Sequence, residues 1–147
     1  MRALHLVAIL LTAVSMSAGW AHLLALPNKM PLSPDDYLTV QQIYRGWAWL
    51  GFVVVGALVS TLALAVVQRT QGMRAGHSVV AALCIALSLV VFFSITFPIN
   101  QATQNWMMLP SNWETLRERW EYSHAFGALL YLVALASLVL GALASRE

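Results

Sequence analysis

Glu121-Tyr122-Ser123-His124 is the segment of this sequence with the clearest chemical spacing. On a helix turning about 100° per residue, a carboxylate and an imidazole three positions apart share one face. Glu114, Arg117 and Glu118 extend that face, and all five side chains fall within about 120° of it. His22 closes an apolar stretch far upstream, where Thr12, Ser15, Gly19 and His22 recur at three- and four-residue spacing. Such a small-residue stripe suits close helix packing and turns His22 toward the same interior, within reach of His124 and Glu121. His22, His124 and Glu121 together have the two-histidine, one-carboxylate composition of a mononuclear metal site. Two histidines on different helices are also the composition of a haem-binding pair. A carboxylate-bridged di-iron bundle would need two Glu-x-x-His motifs and two further glutamates. This chain has one such motif, and no acid inside its first three apolar stretches. The bland alternative is structural, with Arg45, Arg117 and Arg119 pairing with Glu114, Glu118 and Glu121 at a membrane surface while the histidines bond between helices.

These residues belong to one end of the molecule. His22, Tyr44, Arg45, Asn100, Gln101, Gln104, Asn105 and the Glu114–His124 face flank apolar stretches at the end that carries the long connections. All six tryptophans, at positions 20, 47, 49, 106, 113 and 120, fall there too. An aromatic belt marks both membrane interfaces, whereas the opposite end has no tryptophan. The asymmetry predicts a covered aromatic chamber, and a chamber with a few convergent polar groups is the usual form of a small-molecule site. His5 and His77, beside Arg2 and Arg74 at the other end, read as interface residues. Cys84 and most methionines read as packing.

The elements that must position this cluster are membrane spans. A helix needs about 20 apolar residues to cross a hydrocarbon layer of about 30 Å. The chain offers four such stretches, near 3–26, 46–68, 78–97 and 122–144. The first follows Arg2, as a signal peptide would, but its apolar run continues to Leu26 and predicts a retained helix. The fold class expected is all-α, a single integral membrane four-helix bundle with long, partly helical connections at one end. Ser33-Pro34-Asp35-Asp36 combines an N-cap residue, a proline at the first helical position and acids in the first turn. Ser111-Asn112-Trp113-Glu114 fits a capping box, predicting a helix that runs through Trp120 into the fourth span. Pro98 predicts that the third span ends or bends near Phe97.

Composition sets the class. Of 147 residues, 60% are hydrophobic and 10% charged, and the mean hydropathy is +0.72. Eight basic and six acidic side chains cannot cover a soluble globule. No basic run tracks phosphates, so nucleic acid is not an expected partner. A single cysteine excludes a disulfide framework within the chain. An even number of spans puts both termini on one side with the 69–77 turn. Arg2, Arg69, Arg74 and Arg146 lie on that side; Lys29, Arg45, Arg117 and Arg119 lie opposite, alongside most of the acids. The arginines of the short turn favour cytoplasmic termini. Gly46, Gly51 and Gly56, and Gly127 and Gly141, could serve self-association or packing within the chain.

Phe97-Pro98-Ile99-Asn100, Pro110-Ser111-Asn112-Trp113 and Leu116-Arg117-Glu118-Arg119-Trp120-Glu121-Tyr122-Ser123-His124 resemble the C-terminal signature of the anthrone-oxygenase-like family of small four-span membrane proteins. The pattern is met at Pro98, Asn100, Trp113, Arg117, Trp120, Glu121 and His124. His22-Leu23-Leu24-Ala25-Leu26-Pro27 and Tyr44-Arg45-Gly46-Trp47 look like a bacterial branch of that group. The resemblance implies oxidation of an anthrone or similarly activated phenolic carbon by O₂ without an added cofactor. In that chemistry His124 or His22 would remove a proton, and Glu121 would orient or charge-pair a histidine. Asn100, Tyr44 or an arginine such as Arg45 or Arg117 would stabilise an oxyanion. Trp113 and Trp120 would stack on a flat substrate.

Competing four-span proteins fit less well. The Arg- and Asn-rich motif of the glutathione-dependent membrane enzymes is not evident, and a quinone reductase of the vitamin K type would need cysteine pairs. The expectation is a membrane oxidoreductase acting on a small hydrophobic aromatic in the bilayer. Its alternatives are a non-enzymatic binding or partner subunit of a membrane complex and a metal- or haem-binding bundle.

Overall fold

The computed structural model describes residues 1–144; Arg146 lies outside the described residues. The chain is an all-α bundle in which four helices are long and apolar enough to cross a membrane. Helix α1 spans Arg2–Lys29, and the short α2 spans Pro34–Gln41. A tight turn at Trp47–Trp49 leads into α3, Leu50–Thr70. Helix α4 covers Gly76–Val91 and passes through a wide π turn, Phe92–Thr96, into α5, Phe97–Ala102. Helix α6 runs from Trp113 to Ala144. Helix α1 packs on α6 and α3, and α4 packs on α6 and α3, so the four long helices form a closed ring.

The burial pattern is that of a protein dissolved in hydrocarbon. Phe52, Val55, Val59, Leu62 and Val66 form an exposed stripe along α3, and Leu6, Leu10 and Val14 do the same on α1. The interior between them is built from small residues, with Ala8, Ala57, Ala81 and Ala134 beside Leu64, Ile85, Tyr131 and Leu138. Lipid tails are as apolar as leucine, so burial alone drives little helix association; close van der Waals packing does. Gly19 shows how close: a Cβ there would lie 3.1 Å from the Ala128 backbone. His5 corrects its reading as an interface residue. It is buried, with Nε2 2.8 Å from the Leu138 carbonyl, while His77 is exposed.

At the other end a second core of Tyr37, Ile99, Trp106 and Trp120 replaces the alanines. Three helix ends shape it. Helix α1 continues through Pro27 to Lys29 instead of stopping at Leu26, at the cost of the one backbone bond that proline cannot donate. Ser33 caps α2 as its sequence predicts, with Oγ accepting from the Asp36 N–H at 3.3 Å. Helix α6 starts at Trp113 with the Asn112 carbonyl accepting from the Leu116 N–H, one position later than a Ser111 cap would give. Near Phe97, where the sequence predicts that the third span ends or bends, the helix continues but its regular turn is interrupted. Pro98 has no N–H for the Ser94 carbonyl, and the helix absorbs the defect by widening, with the Phe97 N–H bonding to the Phe92 carbonyl before α5 begins. Thr96 Oγ1 then meets Ser123 Oγ at 2.8 Å, tying this segment to α6.

Candidate functional site

The polar end is organised around a residue absent from the sequence-derived set. Lys29 stands two turns beyond His22 on α1, and its side chain folds back into the bundle. Its Nζ lies 2.6 Å from Glu121 Oε2, the two side chains being 3% and 0% exposed. An ammonium only donates, and the three protons of Lys29 have three acceptors: Glu121, His22 Nδ1 at 3.3 Å and the Tyr44 hydroxyl at 3.4 Å. His22 therefore carries its ring proton on Nε2. The other Glu121 oxygen accepts from the Tyr37 hydroxyl at 2.9 Å and from the Gln41 amide at 3.4 Å. A carboxylate this deep is tolerated because every partner is a donor and one is a full charge.

Tyr37 and Gln41 are the two buried residues of α2 and sit one turn apart. The capped helix thus exists as a platform for two hydrogen bonds to Glu121. Burial, with the Glu121 charge second, pushes the Tyr37 hydroxyl far above the usual phenol range. The same two causes in the same order push Tyr44 up to about 12. Both phenols stay protonated at neutral pH. Tyr44 accepts from Lys29 and keeps its own proton to donate.

The two histidines meet face to face. The His22 and His124 rings are stacked with centroids 4.1 Å apart and planes 17° apart. Trp120 closes the other side, edge-on to His124 at 4.3 Å and to His22 at 4.9 Å. Its indole N–H donates to Asn100 Oδ1 at 2.7 Å, so α5 holds the ring in place. The Nε2 atom of His124 is buried and has no hydrogen-bond partner. Tyr44 and Trp47 complete the enclosure around His22.

The structure brings His22, Glu121, His124, Tyr44, Trp120 and Asn100 into this cluster. It places three predicted residues elsewhere. Arg45 is exposed and donates to Gln42 Oε1 at 2.6 Å. Arg117 is buried, but it donates to the Leu32 carbonyl at 3.1 Å and lies over the Trp113 ring at 4.5 Å. Trp113 faces Arg117 and Tyr37. The expected pairing of Arg45, Arg117 and Arg119 with Glu114, Glu118 and Glu121 is thus overturned; Lys29 takes Glu121, and Glu114 and Glu118 are exposed. Among the described residues no three His, Cys, Asp or Glu side chains converge as a metal would require. Rings stacked in van der Waals contact direct their nitrogens along parallel planes, and they leave no gap for a porphyrin.

The chamber expected from the tryptophans is filled, not hollow. Trp106 and Trp120 are 2% and 4% exposed. Two open depressions flank the filled core. One, of about 460 Å³, opens between α1 and α3 and is bordered by Ser17, Ala18, Trp47 and Trp49. The other, of about 320 Å³, lies between α2 and the 103–112 connection, beside Gln42 and Trp106. That connection is unusual. Gln104, Asn105 and Trp106 have φ of 50°, 56° and 59°, three consecutive non-glycine residues in the left-handed region. Each such residue costs about 1–2 kcal/mol, and the run is held by the Thr103 hydroxyl on the Trp106 N–H and by Gln42 Nε2 on the Trp106 carbonyl.

Compared with protein-family profiles, with curated proteins and with solved structures, the chain gives no match in any of the three.

Proposed function

We propose that this chain is a membrane-embedded oxidoreductase that deprotonates a small hydrophobic aromatic, anthrone- or phenol-like, and passes the resulting anion to O₂. The observation that carries the reading is the unpartnered Nε2 of His124, buried against Trp120 and stacked on a histidine already bonded to the Lys29 ammonium. Intramembrane ionisable residues at this density are costly and ordinarily functional. His124 is the base, taking the proton from an acidic C–H or O–H. Tyr44 donates to the developing oxyanion. Lys29 and Glu121 are positioning residues; their fixed charges hold His22, and through it the plane of His124. The anion gives electrons to O₂ and takes back the proton as a hydroperoxide. Loss of water then leaves a carbonyl, so one O₂ is consumed and one water released for each methylene oxidised. The similarity of residues 97–124 to the anthrone-oxygenase-like signature supports the substrate class, and the termini are assigned to the cytoplasmic side on Arg2, Arg69 and Arg74.

A second reading has its own observation. The hydrogen-bond capacity of Lys29 is saturated within the chain, as suits a partner subunit or binding protein stiffened by an internal ion pair. Oxygen uptake by purified protein against a panel of anthrones and hydroquinones separates the two. Uptake abolished by His124→Ala, in a sample that keeps its unfolding midpoint and is free of metal by elemental analysis, is the expected result. No uptake by well-folded wild-type protein leaves the partner-subunit reading.

A further inference from the structure

We propose that the Trp106 indole is a displaceable plug, and that the space it fills is the docking site for a planar, fused-ring aromatic ligand. Trp106 packs edge-to-face on Tyr37, with centroids 5.0 Å apart, and on Trp120 at 5.7 Å. A flat ligand in that position would lie against the two rings that border Glu121 and His124. Two features set Trp106 apart from an ordinary core tryptophan. Its indole N–H is buried with no acceptor, although buried tryptophans usually find one. Its backbone closes a run of three left-handed residues without a glycine, so the rest position is held by a few bonds against the local preference of the chain. The residues on either side of it, Gln104, Asn105, Met107 and Met108, are all exposed, so no packed side chain blocks an outward path. The depression bordered by Leu38, Thr39, Gln42, Arg45 and Met107 has Trp106 in its lining and gives a ligand its way in. An apolar cavity on the order of 150 Å³ already holds a benzene, and a withdrawn indole leaves room for two fused rings.

The inference rests on the aromatic-substrate reading, but it predicts binding, which is measured apart from turnover. Naphthol binding is followed in protein-loaded nanodiscs, with empty nanodiscs as the partition control. Gln42→Ala and Thr103→Val keep the indole and remove the two bonds that hold its backbone; Trp106→Ala removes the plug itself. The expected result is tighter and faster binding in all three, by about ten-fold or more in Trp106→Ala. Gln42→Ala and Thr103→Val that fold like wild type and bind naphthol no better overturn the proposal, even if Trp106→Ala binds in its artificial cavity. If Trp106→Ala does not fold, the two loop variants decide alone. Oxygen uptake on the same samples keeps the readings apart: better binding without uptake removes the oxidation, whereas uptake with unchanged binding removes the plug.

Discussion

Lys29 Nζ and Glu121 Oε2 lie 2.6 Å apart, with both side chains closed off from the surroundings, at the junction of α1 and α6. Each charge is at the mouth of the bundle, one at the end of its helix and the other two turns into its own. The pair does what interhelical packing alone cannot. It fixes the rotation of α1 against α6, and because Lys29 also donates to His22, it fixes the imidazole stack between them.

Removing one partner strands the other charge in a dry site. Lys29→Met and Glu121→Leu should therefore each destabilise the protein by about 3–5 kcal/mol. The double variant should recover a large part of that loss, because no charge is left unpaired. Unfolding in detergent followed by helix content gives the cycle. Two additive single losses would show that the pair does not act as a unit.

The four spans were legible because uninterrupted apolar runs of helical length have few other meanings. The Ser33 cap was legible because a hydroxyl, a proline and acids in that order serve one local purpose. The site was legible only in part, for identifiable reasons. A lysine just after a proline at the end of an apolar run reads as an interface charge, and only its seven-residue spacing from His22 hints that it faces inward. Tyr37 and Gln41 carry a usable signal, a polar pair at i, i+4 on a capped helix, which goes unread without its partner Glu121. Trp106 carries none, since no glycine marks the left-handed turn that buries it. Arg117 misled because it shares a helix face with Glu121, yet its guanidinium reaches a carbonyl of the α1–α2 connection instead.

Gly19 and Gly127 test the packing of α1 on α6 with nearly the same chemistry. A methyl group on Gly19 meets the Ala128 backbone at 3.1 Å, whereas one on Gly127 meets nothing within 4 Å. Gly19→Ala should cost about 1–3 kcal/mol through overpacking. Gly127→Ala should be neutral or gain about 1 kcal/mol from helix propensity. Comparing the two unfolding midpoints decides it, and equal effects would mean that α1 and α6 do not approach so closely.

Tyr44 gives a pH dependence whose sign follows from its surroundings. Burial and Glu121 push its hydroxyl up to about 12 in the folded protein, against about 10 for a free phenol. The folded state holds this proton more tightly than the unfolded state. Its share of stability is complete below about pH 10 and is lost as pH rises through the folded value. Tyr44→Phe should abolish that share of the alkaline loss, so the gap between wild type and variant should close between about pH 10 and 12. A constant gap across the range would place Tyr44 in water.

His22 and His124 can be separated by keeping their shapes and removing their nitrogens. Phenylalanine preserves a stacked ring, so His124→Phe should fold with a midpoint close to wild type. It removes the buried Nε2, which has no hydrogen-bond partner. If His124 is the base, oxygen uptake should fall by about 10²–10⁴-fold, the usual worth of a general base. His22→Phe behaves differently, because its Nδ1 accepts from Lys29. It leaves an ammonium proton without an acceptor, and stability should fall by about 1–3 kcal/mol. Uptake should then fall less than in His124→Phe, since the base survives while its support is loosened. The reverse ranking, with His22→Phe inactive and stable, would move the proton transfer to His22 and leave His124 as its stacking partner.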